Sequence, residues 1–368
     1  MNIVCDKQLL SAAIDGVSRA VTNRAAIPVL EGIMLEATGF QLTLTGYDLE
    51  IGITTTIEAN VREPGDLVIP AKLFGDVVKR MPAGEITISN EDAGIVVIKG
   101  GVAEFEIPAM NNNDYPSLPN TEAQPTFTMT SKDLRDVIEK TLYAVSTDDK
   151  KPAHTGELFE IEPDKLTAVA LDGYRLAIVE RPIQATKDIR VIIPAKTMQE
   201  VLHLLPSDEE QPITVCANRR FVVFMFTGYT IMTRLIEGEF LNYRSVLPNG
   251  CRCRVTVDSA DFIQSIERAS LIITERLKNP LRITFAPGRV IIRCQTNLGK
   301  VVDELDCATQ GDTMEIGFNN RYLLDALRSG KSPKVIFEVS GALSPVKILP
   351  SEGNDFTYLV LPVRFKND

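Results

Sequence analysis

Two histidines, His154 and His203, are the only side chains whose ordinary proton affinity lies near neutrality, so acid–base chemistry at that pH would have to begin with them. Neither has a cysteine or carboxylate at a recognised metal-ligand spacing, and a structural role suits both better than a catalytic one. The sequence holds no HExxH, no paired CxxC, no GxSxG elbow for a nucleophile and no GxxxxGKS/T loop for phosphates. Gly100-Gly101 reads as a hairpin turn, and the acidic run Ser207-Asp208-Glu209-Glu210 as a solvated loop. Of Cys5, Cys216, Cys251, Cys253, Cys294 and Cys307 only Cys251 and Cys253 are close-spaced, which favours free thiols in a reducing compartment over a metal site. The expectation is a protein with no catalytic residue, no metal and no cofactor.

What chemistry remains is electrostatic. Arg24 follows a first helical pattern, and Lys72, Lys79 and Arg80 lie on a second. Lys140, Lys150, Lys151 and Lys196 sit on or beside helices further along, as do Arg268, Arg276, Lys278, Arg321 and Arg328. Each alone reads as a solvent-facing helix residue paired with an acid such as Asp76 or Glu139. Their recurrence is what points to an anionic partner. The net charge of −10 opposes adhesion to nucleic acid over the whole molecule, so any such contact must use a locally basic surface. Taken by itself the acidity serves solubility.

The elements that would position these residues come in copies. At an offset of 124, Leu10, Ile14, Ala20 and Val21 match Leu134, Ile138, Ala144 and Val145, and Ile69-Pro70-Ala71-Lys72 matches Ile193-Pro194-Ala195-Lys196. A more drifted third copy has Phe262-Ile263 for Leu9-Leu10 and Asn320-Arg321-Tyr322-Leu323 near the place of Lys72-Leu73-Phe74. The first helix opens after Asp6 as N-cap and buries Leu9, Leu10, Ala13, Ile14, Val17, Ala20 and Val21; its second copy follows a capping box at Thr130-Ser131-Lys132-Asp133. The second helix starts near Pro70 and Pro194, with proline in the first turn, and buries Leu73, Phe74, Val77, Val78 and Met81.

Between helices the period falls to two. Residues 41–45, 85–89 and 334–339 read as strands with one buried face, and residues 221–226 as a central strand covered on both sides. Turns at Asn90-Glu91-Asp92-Ala93-Gly94 and Ala286-Pro287-Gly288 join neighbouring strands and imply antiparallel sheets. The fold class is therefore α+β, in three repeated modules of two helices packed on antiparallel sheets: residues 1–122, 126–248 and 253–368. At 368 residues the chain is long for one core and suits three. Asp114-Tyr115-Pro116-Ser117-Leu118-Pro119 and Asn242-Tyr243-Arg244-Ser245-Val246-Leu247-Pro248 read as stiff linkers. The start at Met1 lacks a secretory pattern and no stretch suits a membrane span, so a cytoplasmic chain with no membrane partner is expected.

Read this far, the residues leave open a triplicated scaffold that binds proteins or glycans. A third reading, a hydrolase with a scattered site, would be favoured by metal dependence or by turnover that is abolished by changing His154 or His203.

Several motifs carry a resemblance over the whole chain: Ile27-Pro28-Val29-Leu30, Leu44-Thr45-Gly46-Tyr47-Asp48-Leu49-Glu50, Pro70-Ala71-Lys72, Leu171-Asp172-Gly173-Tyr174-Arg175-Leu176-Ala177, residues 242–248, and the ending Tyr358-Leu359-Val360-Leu361-Pro362-Val363-Arg364. With three modules, the chain resembles the bacterial DNA sliding clamps, the beta subunit of DNA polymerase III. The resemblance implies a non-catalytic processivity factor: a head-to-tail homodimer closing a six-module ring, with helices facing duplex DNA and sheets outside. It implies DNA contact by Arg24 first, then Lys72, Arg80, Lys150, Lys151 and Lys196.

The resemblance also implies a groove that takes short hydrophobic peptides of the replicative polymerase, the clamp loader and repair proteins. From the second module it would use His154, Leu171, Gly173, Tyr174, Arg175 and Leu176. Leu241 and Val246 would join from the linker, and Leu359, Leu361, Pro362, Val363 and Arg364 from the end of the chain. His154, Leu241 and Ser245 stand where leucine, proline and arginine are expected. Without the resemblance, residues 359–363 read as a buried last strand. For ring closure it implies that Phe105 and Ile107, on an edge strand, meet Leu271 and Ile272, at a helix end of the other subunit. Phe105 read alone could equally be core.

Overall fold

The computed structural model describes residues 1–90, 94–119, 124–274 and 279–365. Glu91, Asp92 and Ala93 of one expected turn, and the basic residues Arg276 and Lys278, lie outside the described residues. The chain packs as two compact units, residues 1–132 with 199–235 and residues 133–198 with 236–368, so the central repeat contributes to both.

Six helices recur among the described residues: α1 (Lys7–Val17), α2 (Ala71–Arg80), α3 (Ser131–Thr141), α4 (Ala195–Leu204), α5 (Ser259–Ser270) and α6 (Asn320–Gly330). α1 starts where Asp6 accepts from the amides of Gln8 and Leu9 at 2.7 and 3.1 Å, and α5 where Asp258 does the same for Ala260 and Asp261. α1 buries Leu10, Ala13, Ile14 and Val17 but leaves Leu9 48% exposed, and α2 buries Phe74, Val77 and Val78 but leaves Leu73 43% exposed. Both leucines sit one residue, or about 100° of helix, from the buried centre of the stripe. The apolar face is narrower than expected. α1 ends at Val17, and Ala20 and Val21 follow in a 3-10 turn and an extended residue. Pro70 is the N-cap of α2 and the last residue of a strand rather than a first-turn residue.

The first unit holds two antiparallel sheets. One has five strands in the order Asn60–Glu63, Asn2–Asp6, Glu85–Ser89, Ile95–Gly100, Ala103–Pro108. The other has eight: Phe127–Thr130, Pro212–Ala217, Phe221–Phe226 and Tyr229–Arg234 run on through Ile51–Glu58, Gln41–Tyr47 and Gly32–Thr38 to Gly65–Pro70. Here two repeats share one sheet, through the pairing of Ile231 with Ile53.

The second unit repeats this plan. Nine strands run from Ile189–Pro194 through Gly156–Glu162, Lys165–Leu171 and Arg175–Pro182, then across to Thr357–Val360, Val346–Pro350, Lys334–Val339, Cys253–Asp258 and Ala308–Gly311. Four more form a separate sheet: Gly299–Asp306, Arg289–Thr296, Leu281–Ala286 and Met314–Phe318. The strands expected at 41–45, 85–89, 221–226 and 334–339 all form, as do the hairpins at Gly100-Gly101 and residues 286–288.

The segments read as linkers are docked rather than merely stiff. Tyr115 donates its hydroxyl to Thr45 O at 3.2 Å and, with Leu118, packs against a cluster containing Leu30, Tyr47 and Met232. Tyr243 is 3% exposed in the corresponding cluster of the second unit. Its hydroxyl donates to Glu160 at 2.7 Å, and the Arg244 guanidinium reaches the same carboxylate at 2.7 Å. Burial alone would raise the affinity of Glu160 for a proton, but the hydrogen bonds from Arg244 and Tyr243 win and hold it below the ordinary value. It is a fixed negative anchor.

Candidate functional site

The basic candidates separate by what already holds them. Arg24 and Lys72 are exposed, and neither makes an ion pair among the described residues. Lys150 and Lys151 are exposed on a turn built by Asp148, whose Oδ1 accepts from the Lys150 amide at 3.1 Å and whose carbonyl accepts from the Lys151 amide at 3.1 Å. Lys196 is exposed on α4. Arg80 is different, because its guanidinium donates to the Asp76 carboxylate at 2.9 Å one turn back and to the Asp76 carbonyl at 3.0 Å. Hydrogen bonding to Arg80, and then its charge, hold Asp76 below the usual carboxylate range. Lys79 pairs with Asp15 of α1 at 2.7 Å.

Lys140 corrects an expectation. It is 5% exposed and held by Asp136 at 2.8 Å and Asp355 at 3.6 Å, so it offers no surface charge. Arg268 and Arg328 are likewise engaged, with Asp303 at 2.7 Å and Glu267 at 2.5 Å.

The thirteen residues expected to form a peptide groove all belong to the second unit, and main-chain hydrogen bonds join much of the set. The strand of Leu359 and Val360 pairs with that of Leu176 and Arg175, and the Leu361 amide donates to Tyr174 O at 2.8 Å. Two residues on, the Val363 amide donates to Gly317 O at 2.8 Å. Only glycine allows this, since a Cβ at 317 would lie 2.3 Å from Val363 O. Gly173 takes φ +91° at the turn before Tyr174, a second position that calls for glycine.

Burial divides the set. Leu171, Leu176 and Leu359 are 3% exposed or less and belong to one core cluster with Phe240 and Tyr243. They can be a floor but not a wall. Leu241, Val246, Leu361 and Val363 are each more than a third exposed, as is Tyr174. The His154 ring meets Phe240 edge-on at 5.3 Å; burial and then the nearby Lys151 charge hold its proton affinity below the ordinary value, so it is neutral at neutral pH.

Arg175 sits in a cage. Its Nε donates to Asp172 at 3.0 Å and its Nη1 to Asp325 at 2.5 Å, while its guanidinium lies 4.8 Å from the centre of the Tyr322 ring and 5.3 Å from that of Tyr143. Tyr174 stacks on Tyr322 at 5.7 Å. Tyr322 and Asp325, both on α6, complete this arrangement and were not among the expected site residues. Nothing in their local pattern marks them, because their partners lie about 150 positions away.

Of the candidate closure residues, Phe105 is 41% exposed on Ala103–Pro108, the last strand of the five-stranded sheet. Leu271, directly after α5, is 82% exposed, and Ile272 is partly buried. Ile107 differs: at 5% exposure its side chain faces the core of its own sheet. No helix of the described residues is long and apolar enough to cross a membrane.

Family models for the DNA polymerase III beta subunit match in three consecutive pieces: the N-terminal domain over residues 1–119, the central domain over 128–242 and the C-terminal domain over 244–364. A beta sliding clamp of Halalkalibacterium halodurans is 31% identical over 99% of this chain and 100% of its own length. One of Staphylococcus aureus is 29% identical over 94% of each. The crystal structure of the DNA polymerase sliding clamp from Bacillus subtilis matches with a TM-score of 0.97 at 27% identity, covering 100% of both chains. Three clamp domains in order, on two units whose sheets join one repeat to the next, place the chain in the DNA polymerase III beta subunit family, the beta sliding clamps, which are non-catalytic processivity factors.

Proposed function

We propose that two copies of this chain join head to tail in the cytoplasm, closing a ring of six modules (residues 1–122, 126–248 and 253–368 of each copy) around duplex DNA. The observation that carries the reading is a pair of unfinished sheets. Where repeats meet within the chain, they merge into sheets of eight and nine strands. Five strands are left ending on Ala103–Pro108, and four ending on Gly299–Asp306. Edge strands with unpaired amides and carbonyls invite pairing, and five with four would give another nine-stranded sheet. Because the two edges differ, copies meet head to tail, and such contacts close when the rotation returns on itself. Phe105 and Leu271 supply the apolar side of the contact, with Ile272 behind.

Enclosure explains the charge. A threaded ring needs little adhesion, so a few exposed cations suffice, with Arg24 and Lys72 first, then Lys150, Lys151, Lys196 and Arg80. Contacts to phosphate carry no sequence information and let the ring slide. We assign Leu241, Val246, Leu361, Pro362, Val363 and Arg364, over the floor of Leu171, Leu176 and Leu359, to a groove for short hydrophobic peptides. His154, Gly173, Tyr174 and Arg175 border it, and the polymerase, the clamp loader and repair proteins would supply the peptides. Apolar anchors dominate such binding.

The test is retention on DNA. A protein loaded onto closed circular duplex should stay there and be lost once the circle is cut. Equal retention on circular and linear DNA, or a monomer at all concentrations, would remove the ring.

A further inference from the structure

Two junctions in this chain are built to one plan, and only one is plugged. In the first unit the Met110 amide donates to Val68 O at 2.9 Å; in the second the Ile236 amide donates to Ile192 O at 2.9 Å. Gly32 lies so close to Val68 and Met110 that a Cβ would meet them at 2.4 and 2.9 Å, and Gly156 is held equally close to Ile192 and Ile236, at 2.9 and 2.8 Å. By the same correspondence Pro28 and Val29 answer Pro152 and Ala153.

The copies diverge four residues after this anchor. From Ile236 the chain reaches Phe240, which is 4% exposed, shares a core cluster with Ala153 and lies edge-on to His154. The same count from Met110 ends on Asp114, whose carboxylate cannot plug an apolar site without being stripped of water. It ends a 3-10 turn and accepts from the Asn111 side chain at 3.0 Å. A hollow of about 530 Å³ remains, lined by Ile27, Pro28, Val29, Met110, Asn111 and Asp114. Asp66 is tied to the same turn through the Asn112 side chain. Neither Asp66 nor Asp114 has an ion-pair partner among the described residues.

We propose that this hollow is a second binding site, for an aromatic side chain flanked by a basic residue on a partner segment. The chain itself shows the fit, because Phe240 fills the matching place. The charge is set by Asp114 in the wall, with Asp66 tied to the same turn behind it; neither has an ion-pair partner among the described residues. The site is separate from the groove assigned above and does not depend on it.

Methionine-methyl NMR of the full-length protein tests this, because Met110 lines the hollow and Met110→Leu identifies its signal. Acetyl-Arg-Phe-Arg-amide should move that signal saturably in the millimolar range. Acetyl-Arg-Ala-Arg-amide should leave it in place, and acetyl-Glu-Phe-Glu-amide should bind about fivefold more weakly or less. Asp114→Phe, which installs the plug of the other junction, should abolish the response. Asp114→Asn, which keeps the hollow, should weaken the basic probe several-fold while preserving its need for the aromatic ring. The proposal is overturned if Met110 does not respond at about 10 mM probe. It is equally overturned if the alanine probe works as well, or if a folded Asp114→Phe protein still responds. Should Asp114→Phe fail to fold, an unweakened Asp114→Asn response to the basic probe would overturn it.

Discussion

Glu157 should make this protein less stable as the pH rises through neutrality, the reverse of what its surface carboxylates do. It is fully buried on the strand Gly156–Glu162, one of its oxygens has no hydrogen-bond partner among the described residues, and the other meets the Thr141 hydroxyl. That hydroxyl has one proton and also lies 2.7 Å from Val137 O, one helical turn back. If the proton goes to Val137, the Glu157 oxygen must bring its own, giving a relay from carboxyl to hydroxyl to carbonyl. An ionised Glu157 would compete with that carbonyl for the same proton. Burial, opposed only by the Thr141 hydrogen bond, raises its pKa from 4.5 to about 8.

The sign follows from which state keeps the proton. Between pH 4.5 and 8 the folded chain holds one that the unfolded chain has released. Stability from this group is complete below the lower value, falls by about 1.4 kcal/mol per pH unit across the interval, and is lost once the pH has risen through the upper value. The total is about 5 kcal/mol. Glu157→Gln is neutral at every pH and keeps a donor for Thr141. Urea unfolding at pH 5, 6, 7 and 8, at fixed protein concentration because assembly adds to stability, should give nearly equal midpoints for the two proteins at pH 5. The variant should then gain steadily towards pH 8. Parallel midpoint curves would refute the buried-acid argument, because every other ionisable group is common to both proteins.

Removing the exposed cations with Arg24→Ala and Lys72→Ala should each lower the slope of log retention on circular DNA against log salt by about 1, with little change in stability. Asp76→Asn should act the other way, releasing Arg80 from its ion pair and lengthening residence on the circle; a shorter residence would show that Arg80 does not face the DNA. Leu361→Ala with Pro362→Ala should weaken hydrophobic partner peptides about tenfold or more while sedimentation still reports a dimer. Unchanged peptide affinity would show that the groove is misplaced. Leu271→Asp should shift the protein to monomer and abolish retention on circles without altering its folded circular dichroism, since the side chain packs on little within its own chain.

The framework was legible because duplication writes each signal more than once. The 124-residue register, the Asp6 cap and the alternation at 85–89 and 334–339 are local patterns, and local patterns survive in a single sequence. Position within a sheet does not. Phe105 and Ile107 share a face of one strand, yet one is half exposed and the other buried, because only the second lies under its sheet's core. Tyr115 and Tyr243 read as parts of tethers, yet Tyr243 lies in a core cluster and Tyr115 packs against one. The Arg175 cage was least visible of all. Its parts are a turn, the 3-10 turn Leu142–Ala144 that follows α3, and α6, and only the completed nine-stranded sheet brings them together.

Paired charge on the helices bears directly on how a ring could slide. Arg19 meets Glu200 at 2.9 Å, Lys79 meets Asp15 at 2.7 Å, Arg80 meets Asp76 at 2.9 Å and Lys331 meets Glu139 at 2.5 Å, all with substantial exposure on at least one partner. Exposed pairs of this kind contribute about 1 kcal/mol at most, so a passing phosphate can borrow the cation and return it at almost no net cost. A lining of free cations would hold DNA tightly and resist motion, while one of full pairs would ignore it. On the proposed reading, Arg24 and Lys72, which make no ion pair among the described residues, would with such exchanging pairs give many shallow contacts in place of a few deep ones. If the helices line the ring as proposed, their acidic residues would take part in sliding as much as the basic ones.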